Sequence, residues 1–341
     1  MGNRLINCCG HVEGTVDELS SHLNQDQIKK AFSQAMRSAR VIAIPDDTKL
    51  VIFSDIHKGN GDPHVDNFMT CKPIYLGALD HYLVHGYHLV QLGDVEDTWI
   101  ATIEEITQAH QDTYQSERRF HDAHRLIKIV GNHDDIWYDP QQVQTHLWPL
   151  LGEISVDESV VLHFESGKII LLMHGHQGSY DPTRSRISKG CLSTCWTPCV
   201  SRLNQDQLSY QMPSQNHAIR NELDRIAREW IAENRVTTIL GHTHHPVVHD
   251  DIRLEIVPGV SRCDDPNYFN TGSCIFNDHS ITGIEIANQK IRLITWRERD
   301  QQIEGPLVLD ETGFYIQTGW STMPATEPAT EPTSERVGVD H

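Results

Sequence analysis

Side chains that can bind metal ions or transfer protons recur at five points in this 341-residue sequence. Each group follows a short apolar run. The groups are Asp55 with His57, Asp94, Asn132 with His133, His174, and His242 with His244. Any one of them alone would be typical of an ordinary polar turn. Their repetition after apolar runs predicts one site that is assembled from several strand ends.

The apolar runs predict buried strands at residues 50–53, 88–92, 125–130, 168–173 and 236–240. Helical patterns lie between them, at about residues 73–85, 100–124 and 216–234. Such alternation predicts parallel strands that are joined by right-handed crossovers. Ligands bind outside the carboxyl ends of strands in open α/β sheets, so we expect the five groups to converge in one crevice.

The seven metal-ligand candidates are Asp55, His57, Asp94, Asn132, His174, His242 and His244. The Asp-x-His and His-x-His spacings place two side chains on the same side of an extended segment, so each pair can bind one ion. Seven ligands exceed the needs of one tetrahedral ion and suit two ions that share a bridging carboxylate. Mixed nitrogen and oxygen ligands without thiolate favour Mn, Fe or Zn.

Flanking segments complete the predicted organisation. We expect a short amphipathic helix at residues 26–40, within a packing arm that spans residues 1–45. Short strands at 253–257 and 272–276, and a hairpin at 281–296 that turns near residues 288–289, predict a second sheet packed on the first. The main domain is predicted to span residues 46–322, and the repetitive tail at 323–341 is predicted to be disordered.

Composition limits the expected binding partners and cellular location of the protein. The net charge is −19, so we expect the surface to repel nucleic acids rather than bind them. No apolar run approaches the roughly 20 residues that span a bilayer, and no signal sequence is evident, which together predict a cytoplasmic protein. The eight cysteines are expected to be reduced thiols. Three of them have helical spacing, Cys191, Cys195 and Cys199, but no fourth ligand completes a zinc site.

The five blocks resemble those of the calcineurin-like metallophosphoesterases, which are Asp-x-His, Gly-Asp-x-x-Asp, Gly-Asn-His-Asp, a lone His and Gly-His-x-His. All five occur in this order between Asp55 and His244. The resemblance implies an α/β fold, a four-layer α-β-β-α sandwich with two mixed sheets. It also implies hydrolysis of a phosphoester or pyrophosphate bond in a small phosphorylated substrate, by in-line attack of a hydroxide that bridges two divalent ions, with Mn the most suitable in vitro.

The same resemblance implies a role for each block. Asp55, His57 and His244 would hold one ion, Asn132, His174 and His242 would hold the other, and Asp94 would bridge them. His133 would then stabilise the transition state or protonate the leaving oxygen. We expect Asp134 to orient the His133 ring by accepting its other N–H. Asp97 is expected to support the loop rather than to bind metal.

A basic segment follows the fourth block. Residues 182–205 contain no Asp or Glu but include Arg184, Arg186 and Lys189. We hypothesise that a cap at about residues 178–212 uses these cations to bind a second phosphate or an anionic leaving group. A solvated loop explains the segment equally well.

Three more specific functions are considered beside a general phosphoesterase. The position of the insertion resembles that of the cap in UDP-2,3-diacylglucosamine hydrolases, which makes a pyrophosphatase of that type one alternative. A non-catalytic scaffold on the same fold, as in the related retromer subunit, is another. A Ser/Thr protein phosphatase is disfavoured, because the second block lacks the Arg that follows it in those enzymes and the third block ends in Asp134 rather than Glu.

Overall fold

The computed structural model describes residues 23–179, 217–249 and 261–313. Within these residues, two mixed β-sheets pack face to face and helices cover their outer sides. The predicted four-layer α/β sandwich is therefore confirmed. Several predicted features lie outside the described residues: nearly all of the cap with Arg184, Arg186 and Lys189, the 253–257 strand, and the C-terminal tail.

The strands, in chain order, are β1 (Arg40–Ile44), β2 (Leu50–Phe53), β3 (His88–Leu92), β4 (Leu126–Ile129), β5 (Val156–Asp157), β6 (Ser159–Phe164), β7 (Ile169–Met173), β8 (Thr237–Leu240), β9 (Val247–Val248), β10 (Ser261–Arg262), β11 (Tyr268–Asn270), β12 (Ser280–Ala287), β13 (Lys290–Arg299) and β14 (Gln302–Gly313). A seven-stranded sheet has the order β14-β13-β12-β2-β3-β4-β5, and a five-stranded sheet has the order β1-β6-β7-β8-β11. Strands β9 and β10 form a separate parallel pair.

The main helices are α1 (Gln25–Ser38), α2 (Phe68–Val84), α3 (Ile103–Ala109), α4 (Gln111–Asp122) and α5 (His217–Asn234). Short helical turns follow β4 at Asp135–Tyr138, Pro140–Gln142, Val143–Leu147 and Trp148–Leu151. Within the described residues, no helix has the length and apolarity that are needed to cross a membrane.

The predicted membership of the two sheets is wrong in two respects. The β12–β13 hairpin extends the first sheet, because β12 pairs antiparallel with β2 and places Ile284 opposite Ile52. Strands β7 and β8, which were predicted to join β2–β4, belong to the second sheet. An apolar run predicts that a strand is buried, but it does not encode which strand becomes its neighbour.

Local details of the C-terminal region also differ from the prediction. The hairpin turn at Asn288 and Gln289 is confirmed, and both residues have positive φ angles, of 51° and 59°. Residues 272–276 do not form a strand. They make a loop that packs on the end of β2, where the Cys274 N–H donates to the backbone oxygen of Asp55 at 3.1 Å.

Helix α1 matches its prediction closely. It begins after Asn24, whose side chain accepts a hydrogen bond from the backbone N–H of Gln27, a common N-cap. Ile28, Phe32 and Ala35 lie on one face and are buried with α5 against the five-stranded sheet. The single helix predicted near residues 100–124 is instead two helices, α3 and α4, that meet at His110.

Candidate metal centre

The carboxyl ends of five strands meet at one place. Strands β2, β3 and β4 approach it from the seven-stranded sheet, and β7 and β8 approach it from the five-stranded sheet. The loops touch directly across the two sheets: Asp55 Oδ2 accepts from the His242 N–H at 3.1 Å, and Asp94 Oδ2 lies 3.1 Å from His174 Nε2. The two sheets together therefore bring all the predicted ligand blocks to a single crevice.

Ligand atoms fall into three compact groups, in each of which the atoms lie within 4.8 Å of one another. Asp55, His57 and His244 form one group, Asp94, His174 and His242 form another, and the third joins His57 and Asp94 to His133. The first two groups correspond to the division between two ions that the resemblance implies. In the first group, His244 Nε2 is 3.1 Å from His57 Nε2 and 3.0 Å from Asp55 Oδ1. The arrangement is one that could hold divalent metal.

Unsatisfied buried atoms support this reading. Four buried atoms of the candidate ligands make no hydrogen bond among the described residues: Asp55 Oδ1, Asn132 Oδ1, His174 Nε2 and His242 Nε2. Two of them have only ion-pair contacts, Asp55 Oδ1 with His244 Nε2 at 3.0 Å and His174 Nε2 with Asp94 Oδ2 at 3.1 Å. Burying a polar atom without a partner costs about 1–3 kcal/mol. Such atoms rarely occur together unless a ligand satisfies them, and imidazole nitrogens with carboxylate and amide oxygens suit Mn, Fe or Zn. The residues present therefore fit a divalent metal centre.

Two of the histidines are oriented through their other ring nitrogen. His174 Nδ1 donates to the backbone oxygen of Leu92 at 2.8 Å, and His57 Nδ1 donates to Asp97 Oδ2 at 3.2 Å. A proton held on Nδ1 leaves Nε2 as the nitrogen that can bind a cation. Both rings are thus arranged as metal ligands usually are.

Backbone conformation at the site is also unusual. Five of the seven candidate ligands have positive φ angles: Asp55 (51°), His57 (49°), Asp94 (52°), His242 (66°) and His244 (55°). Residues other than glycine adopt this region at a cost of roughly 1–3 kcal/mol, and such strain clusters at functional sites. Gly131 contributes space rather than a positive φ, because a Cβ atom there would lie 2.1 Å from Asp94 Oδ1.

Opposite charges dominate the electrostatics of the crevice. Burial raises the pKa of Asp94, but the positive charges of His174 and His133 outweigh it and hold the pKa well below its usual range. Burial lowers the pKa of His174, yet contact with Asp94 and Asp55 raises it to about 9. Burial and the neighbouring His174 together lower the pKa of His242 to about 3.

The His133 ring is held by residues other than the one that we expected. Its Nδ1 lies 2.9 Å from Asp97 Oδ1, and the Trp99 indole stacks on it with ring centroids 4.0 Å apart. Asp134 instead accepts from the backbone N–H groups of Gly131 and Val95, at 2.6 Å and 2.9 Å. The orienting contact predicted for Asp134 is therefore made by Asp97, because Asp134 instead joins its own loop to the loop that follows β3.

Some residues of the crevice were not assigned by sequence reasoning. Trp99 donates from Nε1 to the backbone oxygen of Asn132 at 3.1 Å, so it contacts both members of that block. His176 is buried beside His174, with ring centroids 5.5 Å apart, and its Nε2 lies 3.2 Å from the Tyr138 hydroxyl. In the sequence, the one signal for this contact role of Trp99 is that it follows the second block by two residues.

Comparison with known proteins adds little to the geometry. No protein-family model matches the sequence, and no curated protein sequence matches it. The structure is similar to vacuolar protein sorting 29 from Cryptosporidium parvum, with 12% identity, a TM-score of 0.38 and coverage of 79% of this chain and 99% of that chain. A single mutant of Vps29 from Entamoeba histolytica has 14% identity, a TM-score of 0.37 and coverage of 79% and 100%. At these values we base function on the site itself.

Proposed function

We propose that this protein is a metal-dependent hydrolase that cleaves a phosphoester or pyrophosphate bond in a small phosphorylated substrate. The observation that carries the proposal is the convergence of six of the seven candidate ligands from two sheets. Four of the seven, Asn132 included, present a buried atom that makes no hydrogen bond among the described residues. Two divalent cations, when bound, would neutralise the phosphoryl oxygens and lower the pKa of a shared water.

The ligand atoms divide between two positions in this proposal. Asp55, His57 and His244 would hold one cation, Asn132, His174 and His242 would hold the other, and Asp94 would contribute to both. Support comes from the position of Asp94, whose Oδ2 lies 3.1 Å from His174 Nε2 of one group and 3.8 Å from His57 Nε2 of the other. Asp55 Oδ1 makes a similar pair of approaches, at 3.0 Å to His244 Nε2 and 4.0 Å to His174 Nε2, so the bridging role of Asp94 rests also on the resemblance.

His133 acts on the leaving group in this proposal. Its Nδ1 is held by Asp97, so the second ring nitrogen is the one that can protonate the leaving oxygen or stabilise the transition state. Stacking on Trp99 further limits rotation of the ring.

Metal analysis with two chromogenic substrates tests the proposal. We expect purified protein to bind divalent metal and to hydrolyse p-nitrophenyl phosphate or bis-p-nitrophenyl phosphate when Mn is added. Asp94→Ala should abolish turnover, whereas Asp80→Ala, at an exposed carboxylate that pairs with Arg119 on the surface, should not. Absence of both metal and turnover would favour the non-catalytic scaffold, and retained turnover in Asp94→Ala would refute the bridging role.

The preferred bond is a separate question. We propose that Arg184, Arg186 and Lys189 bind a second phosphate, which would favour a pyrophosphate substrate of the UDP-2,3-diacylglucosamine type. The support is the acid-free basic segment in a chain of net charge −19. Arg184→Ala and Arg186→Ala should raise KM for a nucleotide-sugar diphosphate more than for a monoester. Unchanged KM values for both substrates would remove the support for a cap.

A further inference from the structure

We propose that Asp224 of helix α5 is a positioning residue that holds His242 and His244 in place for metal binding. The inference rests on the proposed function, since it concerns the same metal centre. Asp224 is buried and lies on the helix that covers the five-stranded sheet. It has no place in the five ligand blocks, and no spacing in the sequence connects it to them.

The contacts of Asp224 reach the residues that alternate with the two histidines. Its Oδ1 accepts from the Thr243 hydroxyl at 3.2 Å, and its Oδ2 accepts from His245 Nδ1 at 2.8 Å. Thr243 stands between the two candidate ligands, and His245 follows the second. One carboxylate therefore binds the residues on both sides of His244.

The loop needs such support because of its backbone. His242 and His244 have φ angles of 66° and 55°, a conformation that an L-residue keeps only when its surroundings enforce it. Asn270 supplies further contacts, since its Nδ2 donates to the backbone oxygen of Gly241 at 3.0 Å and to Thr243 Oγ1 at 3.1 Å. Asp224 and Asn270 together hold the loop from α5 and β11.

The contacts require a carboxylate at position 224. Thr243 Oγ1 accepts from Asn270 and donates its own hydrogen to Asp224, because a carboxylate can only accept. Tyr268 also donates its hydroxyl to Asp224 Oδ1, at 2.6 Å. Three donors thus converge on one group that can only accept. An Asn in its place would turn an N–H toward at least one of these donors and lose that bond.

Metal binding measured without substrate tests the inference. We expect Asp224→Asn and Asp224→Ala to weaken Mn binding by roughly 10–100-fold at both positions, because His244 and His242 belong to different ligand groups. Hydrogen exchange across residues 241–249 should become faster in the same variants. Ile226→Ala is the matched control, because Ile226 is buried on the same helix among apolar side chains. It should lower thermal stability and leave Mn affinity unchanged.

Two milder variants keep the inference testable if Asp224→Ala does not fold. Tyr268→Phe removes one donor to Asp224 and should weaken Mn binding in the same direction, but less. Thr243→Val removes another, and its effect should be less than additive with Asp224→Asn because both lose the same contact.

The outcomes separate this inference from the proposed function. Wild-type protein that binds Mn, together with Asp224 variants of equal affinity, would overturn the positioning role alone. An equal loss of affinity in Ile226→Ala would also overturn it, since the effect would then come from stability. Wild-type protein that binds no Mn, Fe or Zn and hydrolyses neither chromogenic substrate would overturn the proposed function together with the inference.

Discussion

Asp97 Oδ1 lies 2.9 Å from His133 Nδ1, within a contact that joins the second and third polar blocks of the chain. The other oxygen of the same carboxylate contacts Nδ1 of His57 at 3.2 Å. One buried side chain therefore orients a candidate metal ligand and the candidate proton donor together. Changes at Asp97 should affect both metal binding and proton transfer.

Asp97→Asn provides the first test of this relationship. An amide retains the shape but can accept at only one of its two positions, so one of the two imidazoles loses its orienting bond. We expect kcat, metal affinity or both to fall by roughly 10–100-fold. Steady-state kinetics with p-nitrophenyl phosphate and a Mn titration would measure this. Asp80→Asn on the surface is the control, and an Asp97→Asn protein that equals it in both assays would contradict the role.

The order of the polar blocks predicts which residues converge, because each block follows an apolar run and strand ends meet at one edge. It does not predict which carboxylate reaches His133. Asp134 is the neighbour in sequence, whereas Asp97 is the neighbour in space, and the choice depends on the path of two loops. Asp224 is beyond sequence reasoning for the same reason, since it acts from a helix.

The fold shows a similar division. Strand β2 is predictable because it is a continuous apolar run, and β3 and β4 are predictable because each has only one polar residue, Gln91 or Lys128, between apolar ones. Strand β1 was missed because, of its five residues, only Ile44 is buried. Pairing of β12 with β2 joins residues more than 200 positions apart, for example Ile284 with Ile52, and no local pattern encodes it. Sequence therefore predicts the elements better than their partners.

His133→Ala separates proton transfer from metal binding. Removal of a general acid usually costs about 10²–10⁴-fold in rate, so turnover should fall by this order. Both metal ions should remain bound, because the other ligand groups do not need His133. Metal content would be measured by elemental analysis, and added imidazole should restore part of the activity. Loss of an ion would show that His133 is a ligand. The test is sharp because the His133 ring lies close enough to His57 and Asp94 to bind metal with them.

Metal affinity should increase with pH. Burial lowers the pKa of His57, but contact with Asp97, followed by the charges of Asp94 and Asp55, outweighs burial and raises the pKa to about 9. A cation binds the deprotonated ring, so near neutral pH it must displace a proton. The affinity should therefore rise from pH 7 and level off above about 9, the pKa of His57.

Calorimetric titration with Mn in two buffers of different ionisation enthalpy would count the protons released. His57→Gln should release fewer protons than the wild type. If neither the affinity nor the heat of binding depends on pH or buffer, the His57 ring is already neutral before the cation binds, and the prediction is wrong.

Lys128→Met tests the buried ion pair between Lys128 and Glu96, a residue of the second block. Lys128 and Glu96 are both fully buried, and Lys128 Nζ lies 2.9 Å from Glu96 Oε2. Methionine would keep the volume but leave the Glu96 charge with weaker compensation from Lys58, at 3.9 Å. Because breaking a buried pair usually costs about 3–5 kcal/mol, we expect a loss of free energy of unfolding near the lower end of that range.

Urea denaturation would measure the loss, with Arg297→Ala as the control. Arg297 pairs with Glu304 at 3.2 Å, but both side chains are more than 40% exposed, and exposed pairs contribute about 0–1 kcal/mol. Glu96→Gln combined with Lys128→Met should recover part of the stability, because the uncompensated charge is then removed. A Lys128→Met protein as stable as Arg297→Ala would mean that Glu96 is satisfied without Lys128, by the more distant Lys58 and by Trp137 and Tyr114, which donate to it at 2.8 Å and 3.0 Å.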